Sequence, residues 1–327
     1  MNKDIGFTEN PWDVENLSYP DAVRLFYPLN NKCYVSKEPK TGQLVFFVAS
    51  KGTITLELPK KHHGFSLKIV HNDDNTSHLY CILNDIDSMD KFNILAKSVA
   101  KDTVSLEGHL LFEKSIKVIN ELSSFFKPDN KKLTYAEYIG LWGELYFLYF
   151  DLMSKLENPV NAIDYWIGPT GKTNNSAKQD FTFDEFAFEI KTTMSGESKD
   201  IKISSKDQLD KITNQLYLVH IFINYADNAD GYSLQQIVDL VRGELSSHQT
   251  TELDFIRKSE PLLSRANDKQ LNDKMKFINY DIYYIDDNFP CLTSKNIPEG
   301  IMETKYIISS SSIRSFITKK TIKEIIK

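Results

Sequence analysis

The sequence has few cysteines and no long hydrophobic run. Its 327 residues include three cysteines, which lie far apart and at no spacing typical of metal ligands. This excludes a disulfide-stabilised scaffold and a cysteine-based zinc site, and it favours a reducing compartment such as the cytosol. No apolar run approaches the roughly 20 residues that a transmembrane helix requires. The N-terminal residues also lack the apolar stretch of a secretory signal, so we expect a cytoplasmic protein.

An excess of positive charge is absent as well. The chain carries 39 lysines and arginines against 45 acidic residues, for a formal net charge of −6. A protein with this balance is not a general binder of polyanions, so any nucleic-acid contact must use a local basic surface. Only five of the basic residues are arginine, which is the residue best suited to bidentate recognition of bases. The sequence therefore shows no arginine-rich recognition face.

The composition is that of a folded protein, and the pattern of predicted strands and helices is that of an α/β protein. Hydrophobic residues make up 41% of the chain and charged residues 26%, which is enough apolar material for a core. We predict a β-rich and then helical lobe over residues 1–126, an α/β core over 127–247 and an α/β extension over 248–327. The first boundary rests on the polar stretch 127–132, where the periodic pattern breaks. In the first lobe, strands are predicted at 44–48, 53–58, 65–70 and 78–83, and helices at 90–101 and 109–126.

The most clearly marked helix begins at Thr134. Thr134 and Glu137 have the spacing of a capping box, and apolar residues then recur on one helical face. Gly140 and Gly143 would allow this helix to approach a sheet closely. Glu144 lies among leucines, although a glutamate on a helix is often simply solvated. Downstream we predict a buried strand at 216–224, a helix at 234–245, a charged helical stretch at 248–275, strands at 277–285 and 304–309, and a final helix.

The segment 179–191 predicts a β-hairpin with charged residues on one face. If Asp184 and Glu185 form a two-residue turn, side-chain alternation places five apolar residues on the core face: Phe181, Phe183, Phe186, Phe188 and Ile190. The same register sets Asp180 opposite Glu189, with Lys191 on the same side.

Two carboxylates in this position point to a metal. Directly opposite Cβ atoms lie about 4.5–5.5 Å apart, and like charges there repel each other. A divalent cation between the carboxylates would remove the repulsion. All-oxygen ligands suit Mg²⁺, which binds one or two carboxylates and fills its other positions with water and substrate phosphate. Lys191 could then stabilise charge on a phosphorane-like transition state or help orient the attacking water. The alternative is a solvated strand face, but a purely structural hairpin would favour opposite charges at this pair.

Asp180, Glu189 and Lys191, in the pattern D-x8-E-x-K, resemble the core motif of the PD-(D/E)XK nuclease superfamily. The surrounding sequence is similar to a bacterial branch of that superfamily associated with restriction and phage-defence loci. The resemblance covers about residues 133–220 and rests on five blocks in order: 140–145, 166–169, 179–181, 189–193, and 203–205 followed by 208–209. Gln179 stands where the superfamily has proline, a change that leaves the metal ligand intact.

The resemblance implies a restriction-endonuclease-like mixed-sheet core and an endonuclease that hydrolyses DNA phosphodiester bonds with Mg²⁺, or Mn²⁺ in its place. It implies Asp180 and Glu189 as metal ligands and Lys191 as the catalytic lysine. Glu144 corresponds to a first-helix glutamate that touches the metal through water. Gln208 corresponds to a polar residue that positions the lysine or contacts DNA, although a purely structural role at a helix start is an equal alternative.

Two other functions remain open. One is a non-catalytic subunit that docks DNA or a partner in a defence complex, which the negative charge and the few arginines favour. The other is a nuclease of DNA repair or recombination. The expected partners are DNA, further subunits of a defence system and a second copy of the chain, with no membrane contact. The lysines expected to border the DNA, unless they serve only solubility, are Lys127, Lys131, Lys132, Lys199, Lys202 and Lys206.

Overall fold

The computed structural model describes residues 4–5, 11–12, 22–25, 29–38, 40–59, 62–126, 131–171, 179–226 and 230–327. The chain divides into two compact units, residues 1–129 and 130–327. The division falls within the polar stretch 127–132 that the sequence suggests as a boundary. Residues 248–327 belong to the same unit as the core that precedes them. In the described part of the chain, every helix is too short or too polar to cross a membrane.

The first unit contains a sheet whose strands are mostly antiparallel, followed by two long helices. The strands pair in the order β1-β2-β3-β4-β6-β5, and only β1 and β2 are parallel. Their bounds are β1 Asp4–Ile5, β2 Val23–Leu25, β3 Cys33–Lys37, β4 Leu44–Lys51, β5 Phe65–His71 and β6 Thr76–Leu83. The helices are α1 Met89–Asp102 and α2 Gly108–Leu122, with 3₁₀ turns at Ile86–Ser88 and Ser123–Phe126.

One strand predicted for this unit is wrong. Residues 53–58 form no strand, and at the start of this segment a side chain takes two backbone hydrogen bonds that a ladder would make. The Ile54 N–H donates to the Ser77 hydroxyl over 3.0 Å, and that hydroxyl donates to the Gly52 carbonyl. β4 pairs instead with β6 and with β3, a strand that the hydrophobic pattern did not reveal.

The second unit is built on a mixed sheet in the order β11-β12-β10-β8-β7. Its strands are β7 Phe181–Thr182, β8 Phe186–Met194, β9 Ile201–Ile203, β10 Gln215–Tyr225, β11 Tyr232–Ser233, β12 Lys274–Tyr284 and β13 Tyr306–Ile308. β8 and β10 are parallel, and β9 pairs separately with β13. β12, which the sequence analysis assigned to an extension, lies beside β10 in this same sheet. The predicted mixed α/β class is confirmed.

Helices cover this sheet and connect its strands. They are α3 Tyr135–Tyr146, α4 Ala162–Tyr165, α5 Gly168–Gly171, α6 Leu234–Leu245, α7 Gln249–Leu263, α8 Asp268–Asn272 and α9 Ile322–Ile325. α3 continues into a π-helical turn at Phe147–Met153, and 3₁₀ turns occur at Pro159–Asn161, Lys206–Leu209 and Arg314–Phe316. The predicted capping box of Thr134 and Glu137 is confirmed. The predicted charged helix at 248–275 comprises α7, α8 and the start of β12.

Each face of the sheet has its own hydrophobic cluster. Phe188, Ile190 and Val219 face the larger cluster, to which α3 contributes Leu141 and Leu145. Ala187 and Leu218 point the other way, into a smaller cluster with β9 and β13. The charged residues of β8 lie on this second face, where the smaller cluster covers only part of the sheet.

The contact between α3 and β8 depends on Gly143. A Cβ atom at Gly143 would lie 1.8 Å from the Thr192 Oγ1, so the helix can approach this strand only without a side chain there. Gly140 meets nothing within 4 Å, so it does not contribute to the close approach that the sequence suggested for both glycines. Glu144, the next residue after Gly143, is therefore held close to the strand that carries Glu189.

Gly143→Ala should lower the free energy of unfolding by about 1–3 kcal/mol, because the methyl group forces α3 away from Thr192. Gly140→Ala is the matched control and should be neutral or stabilising by up to about 1 kcal/mol, since alanine is the better helix former. Denaturant titration of both variants checks this. Equal effects at the two positions would show that α3 does not pack on β8 through Gly143.

Candidate active site around Asp180, Glu189 and Lys191

The predicted hairpin and its register are confirmed. Phe181 pairs with Phe188 and Thr182 with Ala187. The Phe183 N–H donates to the Phe186 carbonyl over 2.9 Å, which closes the turn at Asp184 and Glu185. The four phenylalanines and Ile190 that the sequence places on the core face pack in the larger cluster. The register therefore brings the segment that holds Asp180 alongside Glu189.

Asp180 precedes the ladder and is fixed by the backbone. Its Oδ2 accepts a hydrogen bond of 2.6 Å from the Ile190 N–H, and its carbonyl accepts one of 2.9 Å from the Ile167 N–H. Only 1% of the residue is exposed. The carboxylate is thus held against the part of β8 that lies between Glu189 and Lys191.

Glu189 and Lys191 form an ion pair at the same place. The Lys191 Nζ lies 2.6 Å from the Glu189 Oε1. The glutamate side chain is fully buried, whereas 17% of the lysine side chain is exposed. Burial in a low-dielectric interior strengthens this attraction and makes the loss of either partner costly.

The donor set fits a hard divalent cation. Asp180 and Glu189 are both buried carboxylates and Lys191 is a single ammonium, so these three side chains together carry one excess negative charge. Their donors to a metal are all oxygens, the ligands that Mg²⁺ prefers, and two protein carboxylates with waters are a common arrangement for it. Among the described residues, no group of three or more His, Cys, Asp or Glu side chains could hold a metal ion.

Glu144 is anchored near the start of the hairpin. Its Oε2 accepts a hydrogen bond of 3.1 Å from the indole N–H of Trp166. Trp166 is fully buried and forms an isolated β-bridge with Phe181. Glu144 is therefore tied to the residue next to Asp180, although it does not complete a three-carboxylate group in the described residues. Its contact with a metal through water stays a prediction.

Gln179, the residue in the proline position, has a structural role. It is fully buried, and its Nε2 donates to the carbonyls of Asp207, Gln208 and Asp210 over 3.0–3.2 Å. These bonds hold the 206–210 segment against the residue that precedes Asp180. A proline could make none of them.

Gln208 does not lie on a following α-helix, as the sequence analysis expected. It lies on the single 3₁₀ turn Lys206–Leu209. Its Oε1 accepts a hydrogen bond of 2.8 Å from the Ser204 N–H, so the side chain folds back on its own turn. Its role toward Lys191 or DNA stays a prediction.

His220 is a residue of this site that the sequence analysis missed. It pairs with Lys191 in the parallel register of β8 and β10, so the two side chains lie on the same face. It is fully buried, and its Nε2 lies 2.8 Å from the Thr193 Oγ1. Burial, and then the charges of Lys191 and Lys199, lower its pKa to about 4. A single histidine inside the apolar run of residues 216–223 was the available signal.

The buried histidine should make stability depend on pH. Between pH 6.5 and about 4 the unfolded chain protonates His220 while the folded chain does not, so the unfolded state binds more protons. Keeping His220 neutral therefore stabilises the folded state in full above pH 6.5, and this stabilisation is lost as the pH falls toward 4. A pKa shift of this size corresponds to about 3 kcal/mol in the free energy of unfolding.

Denaturant titrations of the native protein and of His220→Gln at pH 7.5 and pH 4.5 measure this contribution, because other acid-titrating groups affect both proteins alike. We expect the stability advantage of the native protein to shrink at the lower pH. An advantage that is the same at both pH values would contradict a buried, neutral His220.

Comparison with known proteins gives one family. The family model described as "Putative PD-(D/E)XK family member, (DUF4420)" matches residues 14–311. No curated protein and no solved structure matches the chain. The match spans both units and includes Asp180, Glu189 and Lys191, the residues that carry the resemblance. The chain therefore belongs to this family of the PD-(D/E)XK superfamily.

Proposed function

We propose that the protein is a divalent-metal-dependent DNA endonuclease with a restriction-endonuclease-like core. The observation that carries the proposal is the burial of Asp180 and Glu189 beside each other, with the ammonium of Lys191 at the exposed side. Burying charged groups costs several kcal/mol per ion. A fold without use for them would gain stability from apolar residues in their place.

In this proposal Asp180 and Glu189 hold Mg²⁺, with Mn²⁺ as a substitute. The metal would supply a Lewis acid for the phosphate oxygens and a more acidic water. The Ile190 N–H keeps the Asp180 carboxylate in one orientation, so little reorganisation is needed when the substrate binds. Water attacks the phosphorus as the bond to the leaving oxygen breaks, and the Lys191 ammonium stabilises the negative charge that builds up on the phosphate.

Exposed lysines in the same unit support a DNA substrate. Lys131, Lys132, Lys199 and Lys202 are exposed and Lys206 is half-buried, while Lys127 lies outside the described residues. The Tyr135 hydroxyl donates to the Glu197 Oε1 over 3.5 Å, which joins the start of α3 to the loop that carries Lys199. These lysines can supply the local positive charge that a chain of net charge −6 needs.

The five sequence blocks similar to the defence-associated branch support a role in restriction or phage defence. A nuclease of repair would use the same site and would also cleave DNA with Mg²⁺. Neighbouring genes distinguish these two roles, and a methyltransferase or ATPase gene beside this one would support defence. A non-catalytic docking subunit would bind DNA without metal-dependent cleavage. Incubation of plasmid and phage DNA with the protein and Mg²⁺ separates a nuclease from a docking subunit.

Asp180→Asn should abolish cleavage and leave the fold intact. The asparagine Oδ1 can still accept the hydrogen bond from Ile190, but the side chain loses the charge that a metal requires. Asp184→Asn is the matched control, because Asp184 is exposed at the turn of the same hairpin. Plasmid cleavage with Mg²⁺ and thermal unfolding measure the two effects. Cleavage by Asp180→Asn at the native rate would refute the metal assignment.

DNA binding by the Lys191→Met protein should be markedly tighter with Mg²⁺ than with a chelator. Without a metal, the carboxylates of Asp180 and Glu189 repel the scissile phosphate, and a divalent cation reverses the sign of the site. Methionine keeps much of the lysine's alkyl packing and removes the charge. Fluorescence anisotropy with a labelled duplex, at constant ionic strength, measures both affinities. Equal affinities would place the DNA on another surface.

A further inference from the structure

Beyond Lys191, the same face of the sheet carries a second polar group, which contains His220 and Thr193. In the parallel register, Lys191 pairs with His220 and Thr193 with Phe222, so these side chains form two rows on one face. Thr193 lies about 6.6 Å further along β8 than Lys191, from the rise of a strand. This separation is comparable with that of adjacent phosphates along a nucleic-acid strand.

The surroundings of His220 determine its tautomer. Its Nδ1 is buried and has no hydrogen-bond partner among the described residues. A proton on Nδ1 would leave a buried donor without an acceptor, which is rarer in proteins than an unfilled lone pair. The proton therefore lies on Nε2, which donates to the Thr193 Oγ1. The hydroxyl proton of Thr193, a half-exposed residue, is then directed away from His220.

A positive charge lies over Phe222, the residue of β10 that pairs with Thr193. The Lys199 Nζ lies over the Phe222 ring, 5.4 Å from its centroid, in a cation–π contact. Lys199 is exposed, and both Lys191 and Lys199 are close enough to His220 to lower its pKa. Asp281 pairs with His220 from the other side, on β12, and its Oδ2 accepts a hydrogen bond from the Tyr283 hydroxyl. The Thr193 side of His220 thus presents a hydroxyl donor and an ammonium donor.

We propose that Thr193 and Lys199 bind a second phosphate of the nucleic-acid strand, next to the phosphate at Asp180, Glu189 and Lys191. His220 is the positioning residue that aims the Thr193 hydroxyl at it. Phosphate oxygens are acceptors only, and the two side chains are donors, one of them charged. The inference rests on the proposed function, which places the first phosphate.

The first test is the DNA affinity of variants made in the cleavage-deficient Asp180→Asn protein, measured by anisotropy with a labelled duplex and a chelator. Thr193→Val should weaken binding about tenfold, since a hydrogen bond to a charged group is lost. Its salt dependence should not change, because no charge is removed. Thr193→Ser should bind like the parent. Thr192→Val is the matched control, because Thr192 faces α3 on the opposite side of β8, and it should also bind like the parent.

The second test is the salt dependence of binding by Lys199→Gln. One lost phosphate contact should reduce the slope of log K against log salt by about 0.9. Lys323→Gln is the control, because Lys323 is exposed on α9, whose buried residues pack in the cluster on the opposite face. It should leave the slope unchanged.

The positioning role of His220 is tested by whether glutamine restores DNA binding and by a double variant with Thr193→Val. His220→Gln places an amide N–H where Nε2 donates, and it should keep the parent affinity. His220→Leu should weaken binding to the level of Thr193→Val and should add nothing in the Thr193→Val background. A merely structural role would give an additive loss, and glutamine would not rescue it.

The outcomes separate this inference from the function on which it rests. If the native protein cleaves DNA while Thr193→Val and Lys199→Gln bind like the parent, the second phosphate site is refuted and the nuclease stands. If the protein neither binds nor cleaves DNA with any divalent metal, both proposals fail.

Discussion

The pairing of β7 with β8 in a single register determines where every candidate catalytic group lies. A slip of one residue would exchange the two faces of β8 and move Glu189 and Lys191 into the larger hydrophobic cluster. Phe181 and Phe188 are fully buried, and Phe183 stacks on Tyr165 and Phe186 at centroid distances of 4.0 and 4.4 Å. Each buried aromatic contributes about 1.5–3 kcal/mol. This apolar face stabilises the register that holds two carboxylates in the interior.

The charged side chains are accommodated by specific partners. Asp180 accepts a backbone N–H, Glu189 is paired with Lys191, and Gln179 secures the neighbouring segment through three carbonyls. Of the three charged side chains Asp180, Glu189 and Lys191, Lys191 is the one that is partly exposed to solvent. The arrangement is preorganised, because each group is held before any substrate arrives. Such electrostatic preorganisation is what stabilises charge in a transition state.

The sequence predicted elements well where a local pattern determines them. The hairpin register follows from alternation over residues 180–190, and the start of α3 follows from one capping box. The pattern failed where distant residues decide the structure. The Ser77 hydroxyl takes backbone hydrogen bonds of residues 52–54 that strand pairing would otherwise use. β12 joins the core sheet although it lies about 50 residues beyond β10 along the chain. His220 was missed because only the pairing of β10 with β8 brings it beside Lys191.

The most direct test of the proposed metal site is calorimetric titration of Mn²⁺ into the native protein and into Glu189→Gln. Glu189 is buried and paired with Lys191, so both proteins must first be shown to be folded at the temperature of the titration. The account predicts saturable binding to the native protein that is lost in Glu189→Gln, since an amide replaces a carboxylate ligand. Identical titration curves for the two proteins, or no binding to the native protein, would contradict it.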